Sequence, residues 1–167
     1  MIDSHCHLNF NSLKNNIDSV IDNAKKNNIT SLLTINTDPN EFDIHYNLIK
    51  KYKSIFISYG LHPESVSDTN LISKQLIISK CENEKIIAIG ETGLDFYRSD
   101  HFKVSQYKSF EEHIEASIVT SLPLIIHQRN SENEIMDILK KYQKKKPLKV
   151  VFHCFTGSEY LKKFCLD

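Results

Sequence analysis

The feature that most constrains the fold is a regular alternation of short apolar runs with segments of helical spacing. The runs are rich in β-branched residues and lie at Ile2–Leu8, Ser31–Ile35, Ile55–Leu61, Lys85–Ile89, Leu122–His127 and Lys149–Phe155. Between them, apolar residues recur at helical spacing, at Ile17, Val20, Ile21 and Ala24, at Phe110, Ile114 and Ile118, and at Ile135, Ile138, Leu139 and Tyr142. This spacing predicts amphipathic helices, and apolar runs without polar alternation are typical of strands buried on both faces. The sequence therefore predicts parallel βαβ units.

The position of the polar residues distinguishes two such architectures. An open doubly wound sheet binds ligands at one switch point, usually after a glycine-rich turn, whereas a closed barrel gathers functional groups at the carboxyl ends of all its strands. Here the chain has four glycines and no GxGxxG, and candidate groups follow strand after strand, at His5, His7, His62, Glu91, His127, Arg129 and His153. We therefore predict an α/β fold, a TIM (β/α)8-type barrel that is incomplete with about six βα units, in one domain over residues 1–167.

Composition narrows the function classes. The formal net charge is zero and the sequence pI about 7.1, which excludes a globally basic nucleic-acid binder. No apolar run approaches the roughly 18 residues of a membrane span, and the N-terminus does not resemble a signal peptide. Four widely spaced cysteines without a CxxC pair predict reduced thiols and a cytoplasmic location. Only two basic residues are arginines, Arg98 and Arg129, which draws attention to them as phosphate ligands.

Two histidines of the first strand have the spacing of metal ligands. His5 and His7 are two residues apart, so both imidazoles lie on one face of the strand while Cys6 lies on the other. Neutral imidazoles on a rigid strand form a preformed pair of ligands for a metal such as zinc. Two hydrogen-bonded histidines at a strand end are the alternative, and Asp3 either orients a ring or caps the start of the chain.

Three further residues strengthen the metal interpretation. Glu91 directly follows a buried run, where a carboxylate must be paired or bind a metal, and its two oxygens can bridge two cations. His127 and His153 each follow an apolar run. A single histidine of this kind is usually a hydrogen-bonded core residue, but four histidines and one glutamate at four strand ends favour a metal centre.

Other polar residues are less specific. His62 could be a metal ligand, a general acid or a phosphate ligand, and Arg129 could bind an anionic oxygen or form a surface salt bridge. Asp95, Tyr97 and Arg98 form a polar loop to which we assign no role. We interpret His45, His101 and His113 as ordinary structural histidines.

Five segments together resemble the TatD family of metal-dependent deoxyribonucleases. They are Ile2-Asp3-Ser4-His5-Cys6-His7-Leu8, Gly60-Leu61-His62-Pro63, Ile89-Gly90-Glu91-Thr92-Gly93-Leu94-Asp95-Phe96-Tyr97, Ile125-Ile126-His127-Gln128-Arg129 and Phe152-His153-Cys154-Phe155-Thr156-Gly157. The resemblance implies a barrel with a two-metal centre and hydrolysis of DNA phosphodiesters, with single-stranded ends as substrate. It implies two divalent ions, which are Mg, Mn or Zn.

The resemblance also implies roles for individual residues. His5 and His7 would bind one ion, Glu91 would bridge, and the second ion would be held by His127 and His153. The catalytic residues would be Glu91, His62 and Arg129, the last two at the substrate phosphate.

One departure from the family pattern affects the expected centre. The family has a later Glu-Thr-Asp motif whose Asp binds the first metal, and neither Asp95 nor Asp167 matches it. We therefore expect the C-terminal part of the barrel to be missing, with the first and sixth strands as unpaired edges. Three alternatives remain open: hydrolysis of another ester such as an aminoacyl-tRNA, a catalytically impaired relic that binds one metal through Glu91, His127 and His153, and a non-enzymatic module.

Overall fold

A computed structural model describes residues 1–97, 101–144 and 146–166, and its strands form one parallel sheet. Arg98 and Asp167 lie outside the described residues. Each strand pairs in parallel with the next along the chain, in the order β1-β2-β3-β4-β5-β6. The strands are β1 (Ile2–Cys6), β2 (Ser31–Thr34), β3 (Ile55–Tyr59), β4 (Ile86–Asp95), β5 (Leu124–Arg129) and β6 (Val150–Phe152). All six predicted strands are confirmed.

Helices connect the strands, as the apolar spacing predicts. They are α1 (Asn11–Lys14), α2 (Ile17–Lys26), α3 (Phe42–Ile49), α4 (Lys74–Lys80), α5 (Lys103–Thr120), α6 (Glu132–Gln143) and α7 (Glu159–Leu166), with 3₁₀ turns at Pro39–Glu41 and Pro63–Ser65. The predicted stripes are buried, as shown by Ile21 on α2, Phe110 and Ile114 on α5, and Ile135 and Leu139 on α6. Within the described ranges, no helix has the length and apolar character needed to cross a bilayer.

The sheet is curled, as the close approach of its two outermost strands at their carboxyl ends shows. β1 and β6 are farthest apart in the hydrogen-bonding order, yet the rings of His5 and His153 stack with centroids 3.4 Å apart. Among the described residues, β1 pairs only with β2 and β6 only with β5. The predicted incomplete barrel with two unpaired edge strands is therefore confirmed for the described part of the chain.

Strand β4 is longer than the sequence suggests. The prediction of Lys85–Ile89 is wrong at its C-terminal end, since the strand runs over Ile86–Asp95 and Glu91 lies within it. A glycine permits this continuation: Gly93 has φ +139°, and a Cβ there would lie 2.0 Å from the carbonyl oxygen of His127. The backbones of β4 and β5 thus approach too closely for a side chain at this position.

The last strand is shorter than predicted. β6 ends at Phe152, and the apolar run to Phe155 does not continue it, because Cys154 adopts a positive φ of 43° that turns the chain. His153 therefore immediately follows the strand, at the same edge of the sheet as the ends of β1, β3, β4 and β5.

The core lies mainly between the sheet and the helices. Leu124 and Ile126 of β5 belong to this large cluster together with residues of α5 and α6. Ile125, which alternates with them along the strand, packs instead with Ile35 and Ala88 in a smaller cluster on the other face. Both faces of the central strands are thus apolar, as their continuous apolar runs predict.

Candidate metal centre

A buried carboxylate lies at the centre of the site. Glu91 is 3% exposed, and histidines from the ends of four other strands surround it. Its Oε1 lies 3.2 Å from Nδ1 of His127 and 3.7 Å from Nε2 of His62, and its Oε2 lies 3.5 Å from Nε2 of His5. The fold therefore brings together residues that are up to 148 positions apart in the sequence, from His5 to His153.

The possible ligand atoms form two groups that share Glu91. One group contains His5, Glu91 and His153, the other His62, Glu91 and His127, and the ligand atoms of each group lie within 4.8 Å of one another. His153 thus lies with His5, whereas the resemblance implies that it joins His127. His62, which the resemblance places at the substrate phosphate, lies at the hydrogen-bonding distance of 3.1 Å from His127. A carboxylate shared by two sets of imidazoles is suited to binding two cations.

The fifth expected ligand, His7, lies just after β1 and beside these groups. Its ring is 5.2 Å from that of His5, and its Nδ1 is buried without a hydrogen-bond partner among the described residues. Nε2 of His5 is likewise buried and without a hydrogen-bond partner in the described part of the chain. Buried polar atoms are normally satisfied, so two such nitrogens beside a buried carboxylate fit a site for a divalent metal ion.

Asp95 is a site residue that the sequence reasoning missed. Its Oδ2 lies 2.8 Å from Nε2 of His127. Nε2 donates to this carboxylate. Nδ1, which also faces Glu91, accepts from Nε2–H of His62, because Nδ1 of His62 is already an acceptor. This is the way in which a carboxylate orients a metal-binding histidine. Because Glu91 and Asp95 are four residues apart in one strand, they share a face, but this signal depends on knowing that β4 continues past residue 89.

The charges of the centre depend on one another. Burial disfavours the Glu91 carboxylate, but the imidazoles of His127 and His5 outweigh burial and hold the pKa of Glu91 well below its usual range. Burial acts against the charged form of His127 as well, yet Glu91 and Asp95 raise its pKa. Burial and the neighbouring His127 lower the pKa of His62 to about 4. Burial likewise lowers the pKa of His7 and of His153. The expected ligands Glu91, His7 and His153 thus favour the protonation states that metal binding needs, whereas a metal would have to displace a proton from His127.

His62 is held in place by two elements. Its Nδ1 accepts a hydrogen bond of 3.2 Å from the backbone N–H of Glu64, within the turn that follows β3. The preceding N–H, that of Leu61, donates to Nε2 of His113 on α5 at 3.1 Å. His113 therefore fixes the backbone that positions His62, a role that the sequence reasoning did not assign to it.

Arg129 lies at the rim of the same cavity. The cavity has a volume of about 390 Å³ and is lined by Glu91, His127 and Arg129 together with residues that follow β1, β2 and β3. The guanidinium carbon of Arg129 lies 3.7 Å from the ring centroid of Tyr97, a cation–π distance. The structure thus brings all seven predicted site residues to one edge of the sheet.

Comparisons with known proteins show which family the chain resembles. The family profile described as TatD related DNase matches residues 2–167. An uncharacterized metal-dependent hydrolase from Buchnera aphidicola subsp. Baizongia pistaciae is 38% identical over 171 residues, which cover 100% of this chain and 63% of that protein. A protein from Shigella flexneri named 3'-5' ssDNA/RNA exonuclease TatD is 26% identical over 99% of this chain and 64% of its own length.

A solved structure agrees with these matches. The TatD homologue YjjV from Escherichia coli K12 superposes with a TM-score of 0.85 at 25% identity, over 99% of this chain and 64% of that one. The chain spans slightly less than two thirds of the length of each of these proteins. The profile match over residues 2–167 and the shared fold together show that the chain belongs to the TatD related DNase family.

Proposed function

We propose that this chain carries the metal centre of a hydrolase that cleaves phosphodiester bonds of DNA. The observation that carries the proposal is the buried Glu91, which two groups of histidines share at the edge of a cavity that Arg129 also lines. The proposed ligands are His5, His7, Glu91, His127 and His153. Bound divalent ions would lower the pKa of a water molecule and stabilise charge on the phosphate oxygens.

The residues of the chain have distinct tasks in this proposal. Glu91 stays anionic among the imidazoles and so provides the negative charge that two cations require. Asp95 would keep a proton of His127 on Nε2, so that the lone pair of Nδ1, which faces Glu91 and His62, could bind a metal.

Two residues would act on the substrate. Arg129 would present its N–H groups to a phosphate oxygen, since the contact with Tyr97 occupies a face of the guanidinium and leaves its edge available for bidentate hydrogen bonds. His62, whose pKa is lowered to about 4, is neutral at pH 7 and adds no charge. Its Nδ1 accepts from Glu64, so its one N–H is at Nε2 and would be donated to the phosphate in place of Nδ1 of His127.

The names of two relatives support this choice of reaction class. The Shigella flexneri protein is named as an exonuclease acting on single-stranded DNA and RNA, and the Buchnera aphidicola protein as a metal-dependent hydrolase. Because the chain as a whole carries no net charge, we infer that the strand is held locally at the centre rather than along a broad basic surface.

Nucleotide release from a 5'-labelled single-stranded oligonucleotide, with Mg²⁺, Mn²⁺ or Zn²⁺ supplied in turn, tests the proposal. We expect hydrolysis that stops on chelation and falls at least 100-fold in Glu91→Gln. Asp43→Asn is the matched control, because the Asp43 carboxylate is exposed on α3 and lies outside the centre. Elemental analysis should give two ions per chain for the wild type.

Three results would contradict the proposal. Hydrolysis that persists in chelator would show that the cleavage does not need the metal centre. Cleavage of an aminoacyl ester but of no phosphodiester would assign the centre to a different bond. A single bound ion without hydrolysis would favour the impaired relic.

A further inference from the structure

An exposed aromatic ring lies at the mouth of the metal-centre cavity. Phe10 is 54% exposed although it is one of the residues that line this cavity. One face of its ring stacks on the imidazole of His7, with centroids 4.8 Å apart and planes only 8° from parallel. The ring therefore continues the wall of the cavity outward and presents its other face to the solvent.

The backbone holds Phe10 in a fixed position. Its N–H donates to the carbonyl oxygen of His7 at 3.1 Å, and its own carbonyl oxygen accepts from Leu13 and Lys14 at 2.8 and 2.9 Å. Phe10 is the N-cap residue of α1, a position at which side chains with an oxygen are preferred. Neither the cap nor the core explains an aromatic side chain here, since the ring does not cap the helix and is largely exposed.

A cation lines the same cavity. Arg129 is the last residue of β5, and its guanidinium carbon lies 3.7 Å from the ring centroid of Tyr97. The cavity thus offers both a charged group for a phosphate and a flat apolar face for a ring. A nucleotide has this combination of a phosphate and a base with a π-face.

We propose that the exposed face of Phe10 stacks on the base of the nucleotide whose phosphate lies at the metal centre. A base inside a duplex is covered on both faces by its neighbours, so Phe10 can stack only on an unstacked base or on the outer face of a terminal one. This inference rests on the proposed phosphodiesterase function.

Hydrolysis of two single strands with and without end bases tests the role of Phe10. The first is a hexathymidylate, and the second is the same strand with abasic nucleotides at both ends. A base–aromatic stack contributes about 1–3 kcal/mol, which corresponds to roughly 5- to 150-fold in kcat/KM. We expect the wild type to prefer the strand with bases by at least fivefold, Phe10→Ala to lose this preference, and Phe10→Tyr to keep it.

Binding provides a second readout. In a Glu91→Gln background, fluorescence anisotropy should show that Phe10→Ala weakens binding of the hexathymidylate at least fivefold and leaves binding of the abasic strand unchanged. Phe10→Leu, which keeps an apolar side chain against His7, replaces Phe10→Ala if the latter does not fold. Tyr160→Ala is the control, because Tyr160 is 62% exposed on α7 and does not line the cavity.

Failure of the stacking role of Phe10 and failure of the proposed phosphodiesterase function give different results. If the wild type hydrolyses both strands equally well, or if Phe10→Ala keeps the wild-type preference, the stacking role is wrong and the phosphodiesterase function stands. If no strand is hydrolysed with any metal, the function itself is wrong and the role of Phe10 falls with it.

Discussion

Acidification should destabilise this protein through His113, a histidine that lies outside the metal centre. His113 is fully buried on α5, where its Nδ1 lies 2.6 Å from the carbonyl oxygen of Ser109 and its Nε2 accepts the N–H of Leu61. Burial outweighs the opposing Ser109 carbonyl and lowers the pKa of His113 from 6.5 to about 4. The side chain is therefore neutral in the folded state at pH 5, whereas in the unfolded chain it is protonated.

The sign and size of the effect follow from these two pKa values. Between pH 6.5 and pH 4 the unfolded state binds a proton that the folded state does not, so the free energy of unfolding falls as the pH falls through this window. From pH 7 to pH 5 the loss due to His113 is about 2 kcal/mol. His45, whose pKa is also lowered to about 4 by burial and then by His7, destabilises in the same direction. A comparison with a variant is therefore needed to isolate His113.

The variant His113→Gln isolates the contribution, since its amide oxygen can accept the N–H of Leu61 and does not titrate. Urea unfolding followed by circular dichroism, in chelator at pH 7, 6 and 5, gives the free energy of unfolding of each protein. We expect His113→Gln to lose about 2 kcal/mol less than the wild type between pH 7 and pH 5. Tyr160→Gln, at a side chain that is 62% exposed on α7, should lose as much as the wild type. Equal losses in His113→Gln and the wild type would refute the reasoning.

Three further predictions concern the centre. Asp95→Asn, which removes the carboxylate that fixes the tautomer of His127, should weaken metal affinity about 10- to 100-fold in calorimetric titrations, and unchanged affinity would contradict this role. Gly93→Ala places a Cβ 2.0 Å from the His127 carbonyl oxygen, so urea unfolding should show a loss of at least about 2 kcal/mol; a loss below 0.5 kcal/mol would mean that β4 and β5 separate easily. In zinc titrations, His127→Ala should remove the tighter of two binding steps and His153→Ala the weaker one, and the reverse order would contradict the proposed ligand groups.

The sequence predicts the positions of the strands better than their extent. The apolar runs locate all six strands, and their polar ends locate Glu91 and the histidines, because a strand end beside a buried run is visible as a change from apolar to polar residues. The continuation of β4 is not visible in this way, since Gly90 and Gly93 interrupt the apolar pattern just where they allow β5 to approach. For this reason the sequence pattern places Asp95 in a loop.

Contacts between distant parts of the chain explain the other omissions. His113 has the helical spacing of an ordinary buried residue, and its partner Leu61 is 52 residues away. Phe10 follows the first strand by only a few residues, but its stacking on His7 and its exposure depend on the course of the chain into α1. Neither role has a local pattern that could predict it.

The two ligand groups differ in how the fold holds them, which is why their affinities should differ. Glu91 and His127 come from β4 and β5, which are neighbours joined by backbone hydrogen bonds, and His62, proposed to contact the substrate, lies beside them after β3. His5 and His153 come from β1 and β6, which the described residues connect only through the four strands between them. A change in the curl of the sheet therefore alters the distance between His5 and His153 far more than the distance between Glu91 and His127. Since ordering ligands on binding costs conformational free energy, the group on adjacent strands should bind its ion first and more tightly.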